Sequence, residues 1–136
     1  MSLLEVRNLR IEYPSRRGVM AAVKDLSFTI EKGEILGVVG ESGAGKSTIG
    51  NAIIDLLSPP GRIARGDVYL NGKKISGLTP EEMRKVRGAH IGFIFQDPMT
   101  SLNPLFTVER QLVETIEANT ELRGADRRDI AARPAA

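Results

Sequence analysis

The chain contains no cysteine, no tryptophan and a single histidine, with only two tyrosines and four phenylalanines. Without cysteine there is no disulfide framework, no thiolate metal site and no thiol nucleophile. One histidine leaves little for a histidine-rich metal centre. Long apolar runs are missing too: none approaches the roughly 18–20 residues that cross a bilayer. The N-terminal MSLLEVRNLR lacks a basic start followed by a long apolar segment, so it does not read as a secretory signal. The expected place is the cytoplasm. Charge of one sign is also scarce. Lys+Arg 19 against Asp+Glu 17 leaves a net +2, too small a surplus to argue for a nucleic-acid partner despite a pI near 9.1.

What is there is an ordinary globular inventory. The 136 residues suit one compact domain or part of a larger one. Hydrophobic residues make up 41%; counting glycine in and tyrosine out brings the apolar share to roughly 50%, the usual value for a folded chain. There is no internal repeat.

The first 31 residues read as strands. Leu26, Phe28 and Ile30 alternate with Ser27 and Thr29, a period of two, whereas Val6, Arg7, Asn8 and Leu9 are less regular. Pro14-Ser15-Arg16-Arg17-Gly18 reads as a loop and Lys32-Gly33 as a turn. Ile35 to Val39 is apolar without alternation, which predicts a strand buried on both faces, as in a parallel sheet. After a glycine-rich stretch from Gly40 to Gly45, apolar residues at Ile49, Ala52, Ile53, Leu56 and Leu57 predict a helix with one apolar face, stopped by Ser58-Pro59-Pro60-Gly61.

Asn71-Gly72, between Asp67–Leu70 and Lys73–Ile75, is a hairpin signal. Thr79-Pro80-Glu81-Glu82 is a capping box that opens a short helix to about Arg87. Ile91 to Phe95 predicts a second buried strand, with Phe93 and Phe95 on one side and Ile94 on the other. A polar, proline-bounded loop follows from Gln96 to Pro104. Thr107 then caps a helix expected through about Leu122, with Val108, Leu112, Val113 and Ile116 on its face and Gly124 ending it. The tail 125–136 is expected to fray.

Gly40-Glu41-Ser42-Gly43-Ala44-Gly45-Lys46-Ser47 matches G-x-x-x-x-G-K-[ST], with Thr48 after it. A loop that wraps polyphosphate must aim several backbone N–H groups inward. That takes backbone angles closed to residues with a Cβ, hence Gly43 and Gly45. The following helix adds free N–H groups and about +0.5 charge at its N-terminus. Lys46 supplies a full charge to the β- and γ-phosphates, and Ser47 a hydroxyl to Mg²⁺. A buried-type strand before the loop and an amphipathic helix after it are the context this motif requires.

Three segments taken together, namely the N-terminal strand pair with Tyr13, GESGAGKST and FIFQDPMTSLNP, resemble the ATP-binding subunits of ABC transporters. The last segment is most similar to the subgroup serving dipeptide, oligopeptide and nickel importers. The resemblance runs from about Leu3 to about Leu122. It implies an α/β P-loop fold with an N-terminal antiparallel β subdomain, a partial ATP-binding domain over residues 1–124, and ATP and Mg²⁺ as cofactors. It implies that Tyr13 stacks on adenine, and that Gln96 reaches Mg²⁺ and the attacking water. It further implies that the loop after Gln96 forms a groove for a helix of the membrane permease subunits. Met99, Leu102, Pro104, Leu105 and Phe106 suit such a contact. A second ATP-binding subunit and, indirectly, a substrate-binding protein complete the implied assembly, peripheral to the cytoplasmic face of the inner membrane. Three other features have plain readings. Asp55 is taken as a solvated residue of the helix after the phosphate loop, His90 as a residue leading into the Ile91 strand, and Arg84, Lys85 and Arg87 as a wet face.

The family's remaining parts, an LSGGQ-type signature, an apolar strand ending in Asp-Glu and a switch histidine, do not occur in these 136 residues. The expectation is therefore the N-terminal part of such an ATPase, of low stability and negligible turnover by itself. Two other classes fit the phosphate loop: a stand-alone nucleotide-binding or regulatory module, and another P-loop enzyme such as a small-molecule kinase or GTPase. The latter lacks support from any N-K-x-D guanine-reading motif.

Overall fold

The computed structural model describes residues 2–41, 43 and 45–120. The chain divides into two compact units, residues 1–83 and 84–136.

In the first unit the period-two pattern produces a long hairpin, β1 (Leu4–Ser15) and β2 (Gly18–Ile30). The strands run further toward the tip than the proline and glycine signals imply. Pro14 and Ser15 stay paired, with Val19 and Gly18, and Arg16-Arg17 alone makes the turn. β3 (Arg62–Leu70) pairs with the other edge of β1, and β4 (Lys73–Lys74) with β3, giving an antiparallel sheet in the order β2-β1-β3-β4. Asn71 and Gly72 both have positive φ, 49° and 77°, the conformation a two-residue hairpin turn demands.

The irregularity at Val6 to Leu9 is a β-bulge. β1 carries an extra residue against both neighbours, between the pairs Val6↔Phe28 and Leu9↔Leu26 on one side and Arg7↔Asp67 and Arg10↔Arg65 on the other. Asn8 sits there at φ 49°, its N–H donating to Ser27 Oγ at 2.8 Å. Gly66 (φ 103°) faces the bulge so closely that a Cβ would lie 2.5 Å from Leu9 Cα and 2.6 Å from Asn8 O. Only glycine fits there.

The helix after the phosphate loop, α1 (Lys46–Ile53), is shorter than its apolar spacing implies. It ends in a Schellman arrangement: Leu56 N–H donates to Asn51 O at 2.8 Å, and Asp55 N–H to Ala52 O at 3.2 Å. Asp55 takes the left-handed position, φ 56°. The reading of Asp55 as a helix residue is thus corrected, since it is exposed but terminates the helix. Leu56, turned away by the stop, is 39% exposed, and Ile54 is buried in its place.

Thr79 and Glu82 form the expected capping box at α2 (Pro80–Val86). Thr79 N–H donates to Glu82 Oε2 at 3.0 Å, and Glu82 N–H donates back to Thr79 Oγ1 at 3.2 Å. Among the described residues the buried side chains are Val6, Leu9 and Ile11 of β1, Val23 of β2, Val68 of β3, Ala52, Ile54, Ile75 and Met83. Each of the larger ones contributes about 1.5–3 kcal/mol of apolar burial.

Ile35–Val39 does not form the expected buried strand. It has no ladder partner among the described residues, and Ile35 and Val39 are 96% and 95% exposed. A strand covered on both faces needs paired backbone on both edges, and β1 to β4 pair among themselves.

In the second unit Ile91–Phe95 departs from expectation in the same way. Ile91 makes one isolated parallel bridge with Arg87, and residues 92–95 have no ladder partner among the described residues. The side-chain alternation does hold, for the Phe93 and Phe95 rings meet at 4.8 Å while Ile94 is 87% exposed. His90, exposed, donates its N–H to Val86 O in the turn that leads to Ile91. Arg84 and Lys85 are exposed as expected; Arg87 is half-buried.

A single 3-10 turn (Pro98–Ser101) follows Gln96-Asp97. Thr107 caps α3 (Val108–Asn119), its Oγ1 accepting from Arg110 N–H at 3.2 Å. α3 ends at Asn119 rather than Leu122, with Thr120 in extended conformation. Its apolar face is not buried. Gly124 and the tail 125–136 lie outside the described residues.

Candidate phosphate-loop site

The glycine loop is set by backbone angle and by close approach. Gly43 and Gly45 have φ of 84° and 89°, and Gly45 occupies the N-cap of α1 in left-handed conformation. A Cβ on Gly45 would come within 3.1 Å of Ala22 O and 3.6 Å of Val23 Cγ2. Ala22 is itself the extra residue of a second bulge, on β2 between Ala21↔Glu12 and Val23↔Ile11. The loop's last glycine thus docks on a bulged carbonyl of the hairpin. That contact had no sequence signal, because nothing in Ala21-Ala22 marks a bulge.

Lys46 opens α1 and folds back over the loop, its Nζ donating to Gly40 O and, at 3.1 Å, to Glu41 O. An ammonium held by two neutral carbonyls is a cation without a countercharge at that point. It is the state from which a phosphate oxygen could take it over. Ser47 is exposed at the helix start and Thr48 is half-buried. Gly40 and Glu41 are exposed. Ser42 and Ala44 lie outside the described residues.

Tyr13 is half-buried near the hairpin tip, opposite Met20. Met20 and the Ala22 that supports Gly45 are two residues apart on β2, roughly 7 Å of strand. The hairpin therefore carries the expected base-stacking residue and the support of the phosphate loop at one end. The Tyr13 ring lies against Gly61, where a Cβ would stand 2.6 Å from Tyr13 Cε1 and 2.9 Å from Cζ. Gly61 reads in sequence only as a helix stop. Its N–H closes the Ser58–Gly61 turn on Ser58 O at 2.9 Å.

A cavity of about 490 Å³ on this unit is lined by Gly61, Asp55, Arg62, Arg65, Asp67 and Lys74 among others. Its charges are of both signs. Lys74 and Asp67 already pair at 2.8 Å, and the hydrogen bond from Lys74 holds the Asp67 carboxyl below its ordinary value. No helix N-terminus lines the cavity among the described residues, so the glycine loop is the better candidate for an anion.

In the second unit Gln96 is exposed at a bend. Beyond it Met99, Leu102 and Leu105 are 79%, 48% and 86% exposed, and Phe106 is 40% exposed beneath the Arg110 guanidinium at 4.0 Å. These apolar residues do not pack into a local core.

The ABC transporter family model matches residues 23–135. The oligopeptide transport ATP-binding protein OppD of Bacillus subtilis is 46% identical over 115 residues, covering 84% of this chain and 32% of its own length. OppD of Escherichia coli is 43% identical over 125 residues, 92% of this chain and 37% of its own length. The dipeptide transport ATP-binding protein DppD of Escherichia coli is 40% identical over 119 residues, 88% and 36% respectively. The chain spans about a third of the length of these curated relatives. Among solved structures, the ATP-binding cassette MJ0796, a dimer in a post-hydrolysis state bound to ADP and Pi, matches with a TM-score of 0.81 at 29% identity. That match covers 94% of this chain and 53% of the other. With the family model matched over most of its length and the cassette fold shared, the chain belongs to the ABC transporter family.

Proposed function

We propose that this chain contributes the phosphate-loop portion of an ATP-binding subunit that energises import of oligopeptides or dipeptides. The observation that carries the reading is the docked glycine loop with Lys46 folded over it. The residues fit a triphosphate with Mg²⁺: two glycines at positive φ, a helix N-terminus, one uncompensated ammonium and an exposed hydroxyl on Ser47. Lys46 would leave Gly40 O and Glu41 O for the β- and γ-phosphates. The amides of residues 40, 41, 43 and 45–48 would cradle the chain of phosphates, and Ser47 Oγ would hold Mg²⁺; Gln96 is a second metal-binding residue by resemblance. When bound, Mg²⁺ supplies charge neutralisation across the two terminal phosphates. Gln96, neutral, can orient water without adding charge. Tyr13 would stack on adenine.

The exposed loop from Met99 to Phe106 would meet an apolar helix of the membrane subunits. Pairing with a second ATP-binding subunit, a peripheral position on the inner membrane and indirect contact with a substrate-binding protein belong to the same reading. The LSGGQ-type signature and the Asp-Glu strand do not occur in these 136 residues. On that ground the chain by itself binds nucleotide and turns it over negligibly.

The test is a fluorescent-ATP titration of the chain against Lys46→Ala. Lys46 exchanges bonds to neutral carbonyls for bonds to anionic phosphate, and although its ammonium makes both charge-assisted, only the phosphate brings a countercharge. A hydrogen bond between charged groups nets about 1.5–3 kcal/mol, so Lys46→Ala should weaken binding roughly 10- to 150-fold. Unchanged affinity overturns the site. Phosphate release by the purified chain at ordinary enzyme rates overturns the claim of negligible turnover.

A further inference from the structure

Gln111, on the first turns of α3, is a residue to which sequence reasoning gives no role. In the structure its side chain spans the loop that precedes the helix. Asn103 N–H donates to Gln111 Oε1 at 2.8 Å. Gln111 Nε2 donates to Asn103 O at 3.1 Å, Phe106 O at 3.1 Å and Thr107 O at 3.3 Å. Two N–H bonds facing three carbonyls make shared hydrogen bonds, so one carboxamide satisfies four backbone groups across residues 103–107. The same loop closes on itself: Leu105 N–H donates to Asn103 Oδ1 at 2.9 Å, and Phe106 N–H to Asn103 O at 3.2 Å. Arg110, stacked on Phe106 and paired with Glu114 at 2.9 Å, braces the far side.

The consequence is a short loop with its polar groups turned inward on Gln111 and Leu105 left 86% exposed at its crest. An apolar crest on a loose loop would lose ordering entropy when it docks; a clamped one has lost it already. We infer that Gln111 is a positioning residue, holding the 103–107 loop in the shape that receives an apolar helix of the membrane subunit. This rests on the reading of that loop as the docking surface given above. Among the described residues the hydrogen bonds of the Gln111 side chain all go to loop backbone.

The substitutions separate cleanly by chemistry. Gln111→Met keeps the length and loses all four hydrogen bonds. Gln111→Glu keeps an acceptor for Asn103 N–H but aims a carboxylate oxygen at three carbonyls, so it should be the worse of the two. Each neutral bond shifts an equilibrium by about fivefold.

The experiment uses the ATP-binding subunit assembled with its membrane subunits, reading co-purification, together with amide hydrogen exchange over residues 102–118. The control is Leu105→Asp, which spoils the crest without touching the clamp. The expected result is that Leu105→Asp weakens assembly at least about tenfold. Gln111→Met and Gln111→Glu should weaken it in that order, while exchange at Asn103 and Leu105 accelerates and the amides of residues 113–118 stay protected. If Leu105→Asp fails to assemble but both Gln111 variants assemble like the wild type, the inference is wrong and the docking reading stands. Unchanged exchange at Asn103 in Gln111→Met also overturns the inference. If Leu105→Asp assembles normally, the docking reading falls and the inference with it.

Discussion

Gly61→Ala tests whether the hairpin tip and the turn after α1 act together on the base. An added Cβ would stand 2.6 Å from Tyr13 Cε1 and 2.9 Å from Ser58 O, against about 3.5–4.0 Å for relaxed carbon contacts. The carbonyl belongs to the backbone of a closed turn, so the ring must yield, by about 1 Å. A displaced ring no longer presents its face to adenine, and base–aromatic stacking is worth about 1–3 kcal/mol. Loss of it predicts a roughly 5- to 150-fold weaker affinity for ATP. Tripolyphosphate has no base, and its affinity should be unchanged. The assay is calorimetric titration of both ligands into wild type, Gly61→Ala and Tyr13→Ala. Both variants should lose the preference for ATP over tripolyphosphate by similar factors. Equal weakening toward both ligands would mean a general distortion of the fold. An intact preference in Gly61→Ala would mean that the contact does not set the ring. Either result refutes the reasoning.

Other expectations concern the sheet unit. Gly66→Ala places a Cβ within 2.7 Å of three backbone atoms at φ 103°, and should cost about 3 kcal/mol or more of stability in urea titration; a loss under about 1 kcal/mol would refute the close-packing argument. Asp55→Gly relieves the left-handed position at the end of α1 and should leave stability unchanged or raise it by about 0.5 kcal/mol; a clear loss would mean that the carboxylate has a role of its own. The carboxyls of Glu12 and Glu5 lie below their ordinary 4.5, through hydrogen bonds from Arg10 and Arg7 respectively. Their stabilisation is therefore complete above that value and lost as pH falls through the lowered folded values, so the urea midpoint should drop below about pH 4.5. Glu12→Gln should make that drop shallower, and an unaltered pH profile would refute its part. With Ile35, Val39, Ile94 and Leu105 nearly fully exposed, the chain should melt below about 50 °C by circular dichroism; a cooperative transition well above that would contradict low stability.

What could be read from sequence was local chemistry. Asn71-Gly72 dictates its turn because two consecutive positive φ values exclude most residues. Thr79 with Glu82, and Thr107, mark helix starts because their oxygens can satisfy orphan amides three residues on. Gly43 and Gly45 mark the phosphate loop for the same kind of reason. Contacts made by a partner remote in sequence were not legible. The bulge at Ala22, the approach of Gly61 to Tyr13 and the need for glycine at 66 all depend on what lies opposite. Asp55 shows the intermediate case. Its left-handed position is available to aspartate, but the apolar spacing through Leu57 argued for continued helix, and the buried Ile54 rather than Leu56 decided where the chain turned.

The two unpaired apolar segments make the same point from the other side. Ile35-Leu36-Gly37-Val38-Val39 and Ile91 to Phe95 have the composition of strands covered on both faces. Composition describes what a segment tolerates; pairing is a property of two segments. Two of the three antiparallel pairings come through short connections, Arg16-Arg17 and Asn71-Gly72, and the third brings β3 back to β1, so the sheet closes within the first 75 residues. A parallel ladder has no such local route, since its partner must arrive by a crossover of a dozen or more residues. Ile35 at 96% and Val39 at 95% exposure keep a buried-strand composition without the pairing that would bury it. The hairpin holds the phosphate loop at Gly45 independently of that pairing, through Ala22 and Val23. The loop's anchoring thus does not depend on that pairing, and nucleotide binding at Lys46 should survive substitutions at Ile35 or Val39 that leave the hairpin intact.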